Sequence, residues 1–242
     1  MDIRLHYVES GSGEPLVLLH GNGEDGTYFE HQIAFFQDRY RVVAPDARGH
    51  GNTPRGTAPL SLTQFARDLE GFLDELGIGS AHLLGFSDGA NVAMLFALAH
   101  PERVSSLVLN GGNLFPEGLT PSTRAEIDDE LAAARAAGDE RGIELLRLMV
   151  DEPRISPAEL ARLRMPALVV AGTDDMIEEA HTRLIAASMP GAQLAIIPGT
   201  HFVAAEDPAT FNAVVAAFLD NVGGSRSSSG ALHEPTRKSA PM

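Results

Sequence analysis

Three polar residues that could act together as nucleophile, acid and base each follow a predicted strand. Ser87 lies in "GFSDG", a G-x-S-x-G between a strand and a helix, where a tight turn would expose the serine hydroxyl. His201 lies in "IIPGTHF", after the last strand, and its neutral imidazole could take the serine proton. The acid that would hold the imidazole is one of two neighbours in "AGTDD". We choose Asp175, with Asp174 as the alternative.

The glycines around the serine separate a nucleophile from an ordinary helix cap. Gly85 and Gly89 flank Ser87, and they remove side chains that would collide across a tight strand-to-helix turn. A serine that only caps a helix would need neither glycine. The context therefore favours a nucleophile.

The loop "HGNGEDG" (20–26) follows a short apolar run and contains G-x-G-x-x-G. This spacing is also that of a loop that binds a dinucleotide pyrophosphate, and Asp46 would then be the ribose ligand. However, Glu24 and Asp25 would bring two carboxylates close to the pyrophosphate. The charge therefore argues against a dinucleotide site.

These residues need a scaffold, and the order of the predicted elements supplies one. Strand-like runs alternate with amphipathic or apolar helices, which predicts an α/β fold with a mostly parallel, doubly wound sheet. Ligands of such sheets bind beyond the carboxyl ends of the strands. We predict a core from residues 1–112 and 165–222, a small helical lid inserted at 113–164, and a disordered tail at 223–242.

Composition excludes several classes of function. The 242 residues include 18 basic and 33 acidic side chains and no cysteine. This charge balance argues against nucleic acid and anionic membranes as partners, and no metal site is indicated. The charged N-terminus lacks a signal-peptide core, and the apolar segment 90–99 is too short to span a bilayer. We therefore expect a cytoplasmic protein, and the oligomeric state is left open.

Five motifs together make the chain similar to α/β-hydrolase-fold serine hydrolases over nearly all of residues 1–222. They are "HGNG" (20–23), "DARGHG" (46–51), "GFSDG" (85–89), "GTDD" (172–175) and "GTHF" (199–202).

This resemblance implies a covalent acyl-enzyme, no cofactor and a small ester-like substrate. It also implies that the backbone N–H groups of Asn22 and Asp88 form the oxyanion hole. The family's usual position for the acid supports Asp175. In the family "DARGHG" is a structural turn, so Asp46 is better assigned to that turn than to a ribose.

The expected activity is hydrolysis of small carboxylic esters. Carbon–carbon bond hydrolysis, lactone opening and cofactor-free perhydrolysis would use the same three residues, and a non-catalytic receptor or scaffold on this fold is the alternative from another class. A short lid predicts a modest pocket. Candidates to face it are Leu114, Phe115, Leu146 and Met149, although each could equally pack the lid onto the core.

Asp88 allows two interpretations. The elbow "SDG" resembles that of valacyclovir hydrolases, which implies that the Asp88 carboxylate could bind the amine of aminoacyl esters. Alternatively, Asp88 begins a helix, where a carboxylate gains about 0.3–1 kcal/mol from the helix dipole. In either case its carboxylate must point away from a developing oxyanion.

Overall fold

The computed structural model describes residues 2–228 and contains one seven-stranded sheet with helices on both faces. The strands are β1 (Tyr7–Ser10), β2 (Glu14–Leu19), β3 (Tyr40–Pro45), β4 (Ala81–Phe86), β5 (Val104–Asn110), β6 (Ala167–Asp174) and β7 (Gln193–Thr200). The helices are α1 (Glu30–Phe36), α2 (Leu62–Glu75), α3 (Asp88–Ala99), α4 (Pro121–Ala137), α5 (Glu140–Asp151), α6 (Pro157–Leu160), α7 (Glu179–Ser188), α8 (Val203–Glu206) and α9 (Pro208–Ser228).

The sheet has the order β1-β3-β2-β4-β5-β6-β7, and only the pair β1–β3 is antiparallel. Helices α2 and α3 cover one face through residues such as Phe72 and Phe96, and α1 and α9 cover the other through Phe36 and Phe211. Because both faces are covered, β4 and β5 are buried along their whole length. The predicted mostly parallel α/β fold is confirmed.

The carboxyl ends of the parallel strands gather the residues selected from the sequence. His20 directly follows β2, Ser87 follows β4, Asp175 follows β6 and His201 follows β7. In a doubly wound sheet these ends lie along one edge, where ligands bind. The fold thus brings residues far apart in the chain to one place.

The strand–helix alternation is interrupted between β5 and β6, where α4, α5 and α6 follow one another. Each of these helices begins at a side-chain cap, namely Thr120, Asp139 and Ser156, and the last cap forms a capping box with Glu159. Helix α6 is only four residues long. The chain after Leu160 forms tight i to i−3 turn bonds instead of continuing the helix.

The C-terminal helix is longer than predicted. The sequence predicts disorder from residue 223, whereas α9 continues to Ser228. The remainder of the predicted tail, 229–242, lies outside the described residues. Within residues 2–228 no helix is both long enough and apolar enough to cross a membrane.

Two buried charges hold the loop after β3. Arg48 is fully buried and donates to both carboxylate oxygens of Asp68 on α2 at 2.7 and 2.8 Å. Asp46 accepts the backbone N–H groups of Gly26 and Asn52 at 2.9 and 2.8 Å. Because backbone amides occupy both Asp46 oxygens, this carboxylate secures the loop and is not free to bind a ribose. This geometry agrees with "DARGHG" as a structural turn.

Candidate active site

The turn between β4 and α3 holds Ser87 in a backbone conformation that L-residues rarely adopt. Its φ is 53° and its ψ is −120°, and it is the one non-glycine residue with positive φ in the described part of the chain. A Cβ on Gly89 would lie 2.0 Å from the carbonyl oxygen of Leu19, and one on Gly85 would lie 2.3 Å from that of Gly89. The flanking glycines are therefore required by close backbone approach.

The structure brings His201 against Asp175 and not against Asp174. Nδ1 of His201 and Oδ1 of Asp175 are 2.7 Å apart, and both side chains are almost fully buried. The Asp175 carboxylate also accepts the backbone N–H of Ile177 at 3.0 Å. Asp174 is exposed and contacts Thr173. Asp175 is thus held on a fixed loop beside the imidazole.

This hydrogen bond determines which imidazole nitrogen carries the proton. An ionised carboxylate can only accept, so Nδ1 of neutral His201 donates and Nε2 keeps a free lone pair. Nε2 is buried and has no protein partner among the described residues. The ring packs 4.8 Å from the ring of Phe86, centroid to centroid. Consequently the imidazole has one free basic nitrogen in a fixed orientation.

Ser87 and His201 line the same pocket, whose volume is about 330 Å³. Most of its remaining lining is apolar, and two glutamates complete it. The other lining residues are Asn22, Glu24, Phe86, Glu130, Gly142, Leu145, Leu146, Met149, Met176 and Phe202. No lysine or arginine is among them within residues 2–228. The pocket therefore offers apolar walls and acidic groups, and no fixed cation for an anionic ligand.

The loop after β2 is held by side chains that leave one backbone donor free. His20 donates from Nδ1 to the Gly21 carbonyl oxygen at 2.8 Å and accepts the Ala47 N–H at 2.9 Å. The Gly21 N–H donates to Glu24 at 3.1 Å. The Asn22 N–H has no acceptor within the part of the chain that the structure describes. This arrangement is compatible with the predicted oxyanion role of the Asn22 N–H.

Asp88 is buried, and its carboxylate contacts side-chain amides. Asn22 donates to it at 3.0 Å, and the Asn91 amide lies 3.5 Å away. Burial raises its pKa to about 6, and the nearby charge of Glu152 acts in the same direction. Its own backbone N–H lies in the first turn of α3, where helix amides lack an intrahelical acceptor.

Two of the four lid candidates reach the pocket. Leu146 and Met149 on α5 line it. Phe115 does not, because its ring packs edge-on against His181 at 4.6 Å. Leu114 is fully buried in the core. The prediction that Phe115 faces the substrate therefore disagrees with the structure. The chain before the lid helices turns the side chains of Leu114 and Phe115 inward.

Sequence reasoning missed several pocket residues. Glu24 was considered only as a charge against pyrophosphate, yet it lines the pocket, and burial raises its pKa to about 7. Phe202 follows the candidate base directly, and its exposed ring lies at the pocket. Its position beside His201 could have indicated it. Nothing in the local sequence indicates Glu130 or Met176.

Comparisons with known proteins identify the family of the chain. Residues 14–142 match the family model described as alpha/beta hydrolase fold. A 2-hydroxy-6-oxononadienedioate/2-hydroxy-6-oxononatrienedioate hydrolase of Burkholderia vietnamiensis is 44% identical over 117 residues, which are 46% of this chain and 41% of that protein.

Longer matches extend over nearly the whole chain. The 3-oxoadipate enol-lactonase 2 of Acinetobacter baylyi is 26% identical, over 90% of this chain and 94% of that protein. A solved structure of an N-acyl homoserine lactone degrading enzyme has a TM-score of 0.77 at 26% identity, covering 89% of this chain and 97% of that chain. The chain belongs to the α/β-hydrolase-fold family of hydrolases.

Proposed function

We propose that this protein hydrolyses small carboxylic esters or lactones through a covalent acyl-enzyme on Ser87. The observation that carries the proposal is the 2.7 Å contact between His201 and Asp175, which leaves Nε2 unpaired in the pocket that Ser87 lines. A base with a fixed tautomer in the same pocket as a strained, half-buried serine is what nucleophilic acyl transfer requires.

The reaction follows from these positions. The Ser87 oxygen attacks the substrate carbonyl carbon while its proton passes to Nε2 of His201. The carbonyl oxygen becomes an oxyanion, which the backbone N–H groups of Asn22 and Asp88 would stabilise, each by about 2.7–4 kcal/mol. The His201 imidazolium then protonates the leaving alkoxide, and Asp175 stabilises that cation. Water, deprotonated by His201, cleaves the acyl-enzyme and regenerates Ser87.

The charge of the pocket favours neutral substrates over the anionic ones that the names of two relatives indicate. A dienedioate and an oxoadipate lactone carry carboxylates, whereas Glu24 and Glu130 line this pocket without a lysine or arginine among the described residues. Like charges in a partly buried site repel strongly. The volume of about 330 Å³ also lies at the small end for ligand pockets. Small, uncharged acyl groups fit best.

A labelling experiment tests the catalytic assignment. The wild type should react with a fluorophosphonate and hydrolyse p-nitrophenyl butyrate, and Ser87→Ala and His201→Ala should each lose nearly all turnover. The double variant should be little worse than either, because the residues act as a unit. A wild type that is neither labelled nor active would instead favour a receptor or scaffold.

A matched pair of esters tests the substrate class. At pH 8, kcat/KM for p-nitrophenyl butyrate should be about tenfold or more higher than kcat/KM for the mono-p-nitrophenyl ester of succinic acid, which carries a free carboxylate. Glutamine has nearly the same shape as glutamate without the charge, so Glu24→Gln should lower the ratio of the two kcat/KM values. An unchanged ratio would contradict the electrostatic argument.

Recognition of an amine by Asp88 is a second candidate, favoured by one observation. Ser87, Asp88, Asn113 and Glu152 line a small adjoining cavity of about 10 Å³, which is the size of one water-sized group. Two carboxyl groups there would favour an ammonium. The wild type should then prefer an α-aminoacyl ester over its des-amino analogue, and Asp88→Asn should lose that preference; equal losses on both esters would reject the role.

A further inference from the structure

The side chain of Asn22 connects two parts of the molecule that are far apart in the chain. Its Nδ2 donates to Oδ2 of Asp88 at 3.0 Å and to the backbone carbonyl oxygen of Leu145 at 2.9 Å. An amide nitrogen has two hydrogens, so both are used. One small side chain thus joins the loop after β2, the start of α3 and the lid helix α5.

The contact with Asp88 joins the two residues that carry the expected oxyanion donors. The backbone N–H groups of Asn22 and Asp88 must both point at one oxygen atom, which requires a fixed spacing between two separate loops. A hydrogen bond to a carboxylate is stronger than one between neutral groups. Because Asp88 is almost fully buried, water competes weakly for this bond.

The contact with Leu145 brings the lid into the same arrangement. Leu145 lies on α5 and lines the active-site pocket together with Leu146. Further contacts hold α5 to the loop after β3, because Arg55 pairs with Glu144 at 2.5 Å and Arg141 donates to the Gly49 carbonyl oxygen at 3.1 Å. Of these contacts, only the Asn22 amide reaches the oxyanion loop directly.

We propose that the Asn22 side chain is a positioning bridge, which fixes the spacing of the two oxyanion donors and couples that spacing to the docked position of α5. The bridge rests on the proposed acyl-transfer function, because the donors matter only where an oxyanion forms. The bridge gives the Asp88 carboxylate a role that does not require an amine on the substrate. It also makes closure of the lid a condition for a complete oxyanion hole.

Asn22→Leu tests the bridge without adding charge, since leucine has nearly the shape of asparagine and no donors. With p-nitrophenyl butyrate, kcat per fluorophosphonate-labelled site should fall by about tenfold or more, while KM changes by less than about threefold. Affinity for a trifluoromethyl ketone analogue should fall in parallel with kcat/KM. A kcat within threefold of the wild type would overturn the proposal.

An exchange of the two side chains gives a rescue. Asn22→Asp alone turns both donors into acceptors and places a carboxylate against Asp88. Adding Asp88→Asn restores one donor–acceptor pair with its direction reversed and the original net charge. The double variant should therefore recover activity relative to Asn22→Asp by about tenfold. A double variant no better than the single one would overturn the proposal.

Arg55→Gln is the matched control for a merely loosened lid. It removes the ion pair with Glu144 on the same helix and leaves the Asn22 bridge intact, so kcat should stay within about twofold of the wild type. Equal losses in Arg55→Gln and Asn22→Leu would assign the effect to the lid alone and overturn the proposal.

Hydrogen exchange separates failure of the bridge from failure of the proposed function. If the wild type hydrolyses no ester, acyl transfer is refuted, yet the bridge still predicts faster amide exchange in both 20–24 and α5 for Asn22→Leu. Exchange unchanged in either segment would refute the bridge whatever the activity.

Discussion

Replacing Asp175 by asparagine is the sharpest test of how the site works. Asp175 is buried, lies 2.7 Å from Nδ1 of His201 and is held by the Ile177 N–H at 3.0 Å. Asparagine has nearly the same shape, but Oδ1 of Asp175 makes both contacts, so an amide keeps both only with its oxygen in that place. What changes is that the side chain loses its charge and gains two hydrogens that can face the imidazole.

The expected loss follows from both changes. An amide that turns its nitrogen to Nδ1 gives up the Ile177 bond and leaves the proton of His201 on Nε2, which then cannot accept the proton of Ser87. The imidazolium that forms during the reaction also loses its counter-charge. In serine proteases the equivalent change lowers kcat about 10⁴-fold, which corresponds to about 5.4 kcal/mol of transition-state stabilisation.

Turnover of p-nitrophenyl butyrate, expressed per folded molecule, measures this effect. Asp174→Asn is the matched control, because Asp174 is exposed and its carboxylate accepts a hydrogen bond from its neighbour Thr173 rather than from His201. It should change kcat/KM by less than about twofold. If Asp175→Asn kept more than a tenth of the activity, or if Asp174→Asn were the more damaging change, the assignment of the acid would be wrong.

Two further predictions concern stability and its dependence on pH. Asp68→Asn should lower the free energy of unfolding, measured in urea, by about 3–5 kcal/mol because it leaves buried Arg48 without its main partner. Arg39→Gln breaks the exposed pair with Asp220 and should lower it by less than about 1 kcal/mol. Similar losses in the two variants would refute the role of burial. Burial raises the pKa of Asp88 from 3.8 to about 6, so the folded state binds more protons in this window and stability should fall as pH rises from 4 to 6. Relative to Asp88→Asn, the wild type should lose about 2 kcal/mol over that range, and parallel pH curves for the two proteins would contradict this.

The sequence was sufficient to predict the sheet and the strand ends because both depend on short-range patterns. Buried strands appear as continuous apolar runs, and the first residue after each run is then at the ligand-binding edge. Ser87 and His201 were found in this way. The choice between Asp174 and Asp175 was harder, because the two residues differ by one position and only the end of β6 determines which side chain turns inward.

Contacts between distant segments could not be read from one sequence. The bridge from Asn22 depends on where α5 docks, and that docking involves pairs such as Arg55 with Glu144, 89 positions apart. Phe115 was misassigned for the same reason, since an apolar residue near a lid can face the pocket or the core with equal patterning. Periodicity identifies the buried face of an element but not its partner.

The acidic residues affect the candidate site itself as well as the net charge of the chain, which is −15. The proposed site would stabilise an oxyanion, yet it holds Asp88 next to the proposed nucleophile and Glu24 in the same pocket, and full ionisation of both would oppose the proposed reaction. Burial raises their pKa values to about 6 and about 7, so part of this charge is absent near neutrality. Both carboxylates also accept hydrogen bonds from amides. The Asn22 side chain donates to Asp88, and the Gly21 N–H donates to Glu24. The same contacts that reduce the electrostatic opposition therefore hold the loop that is expected to bind the oxyanion.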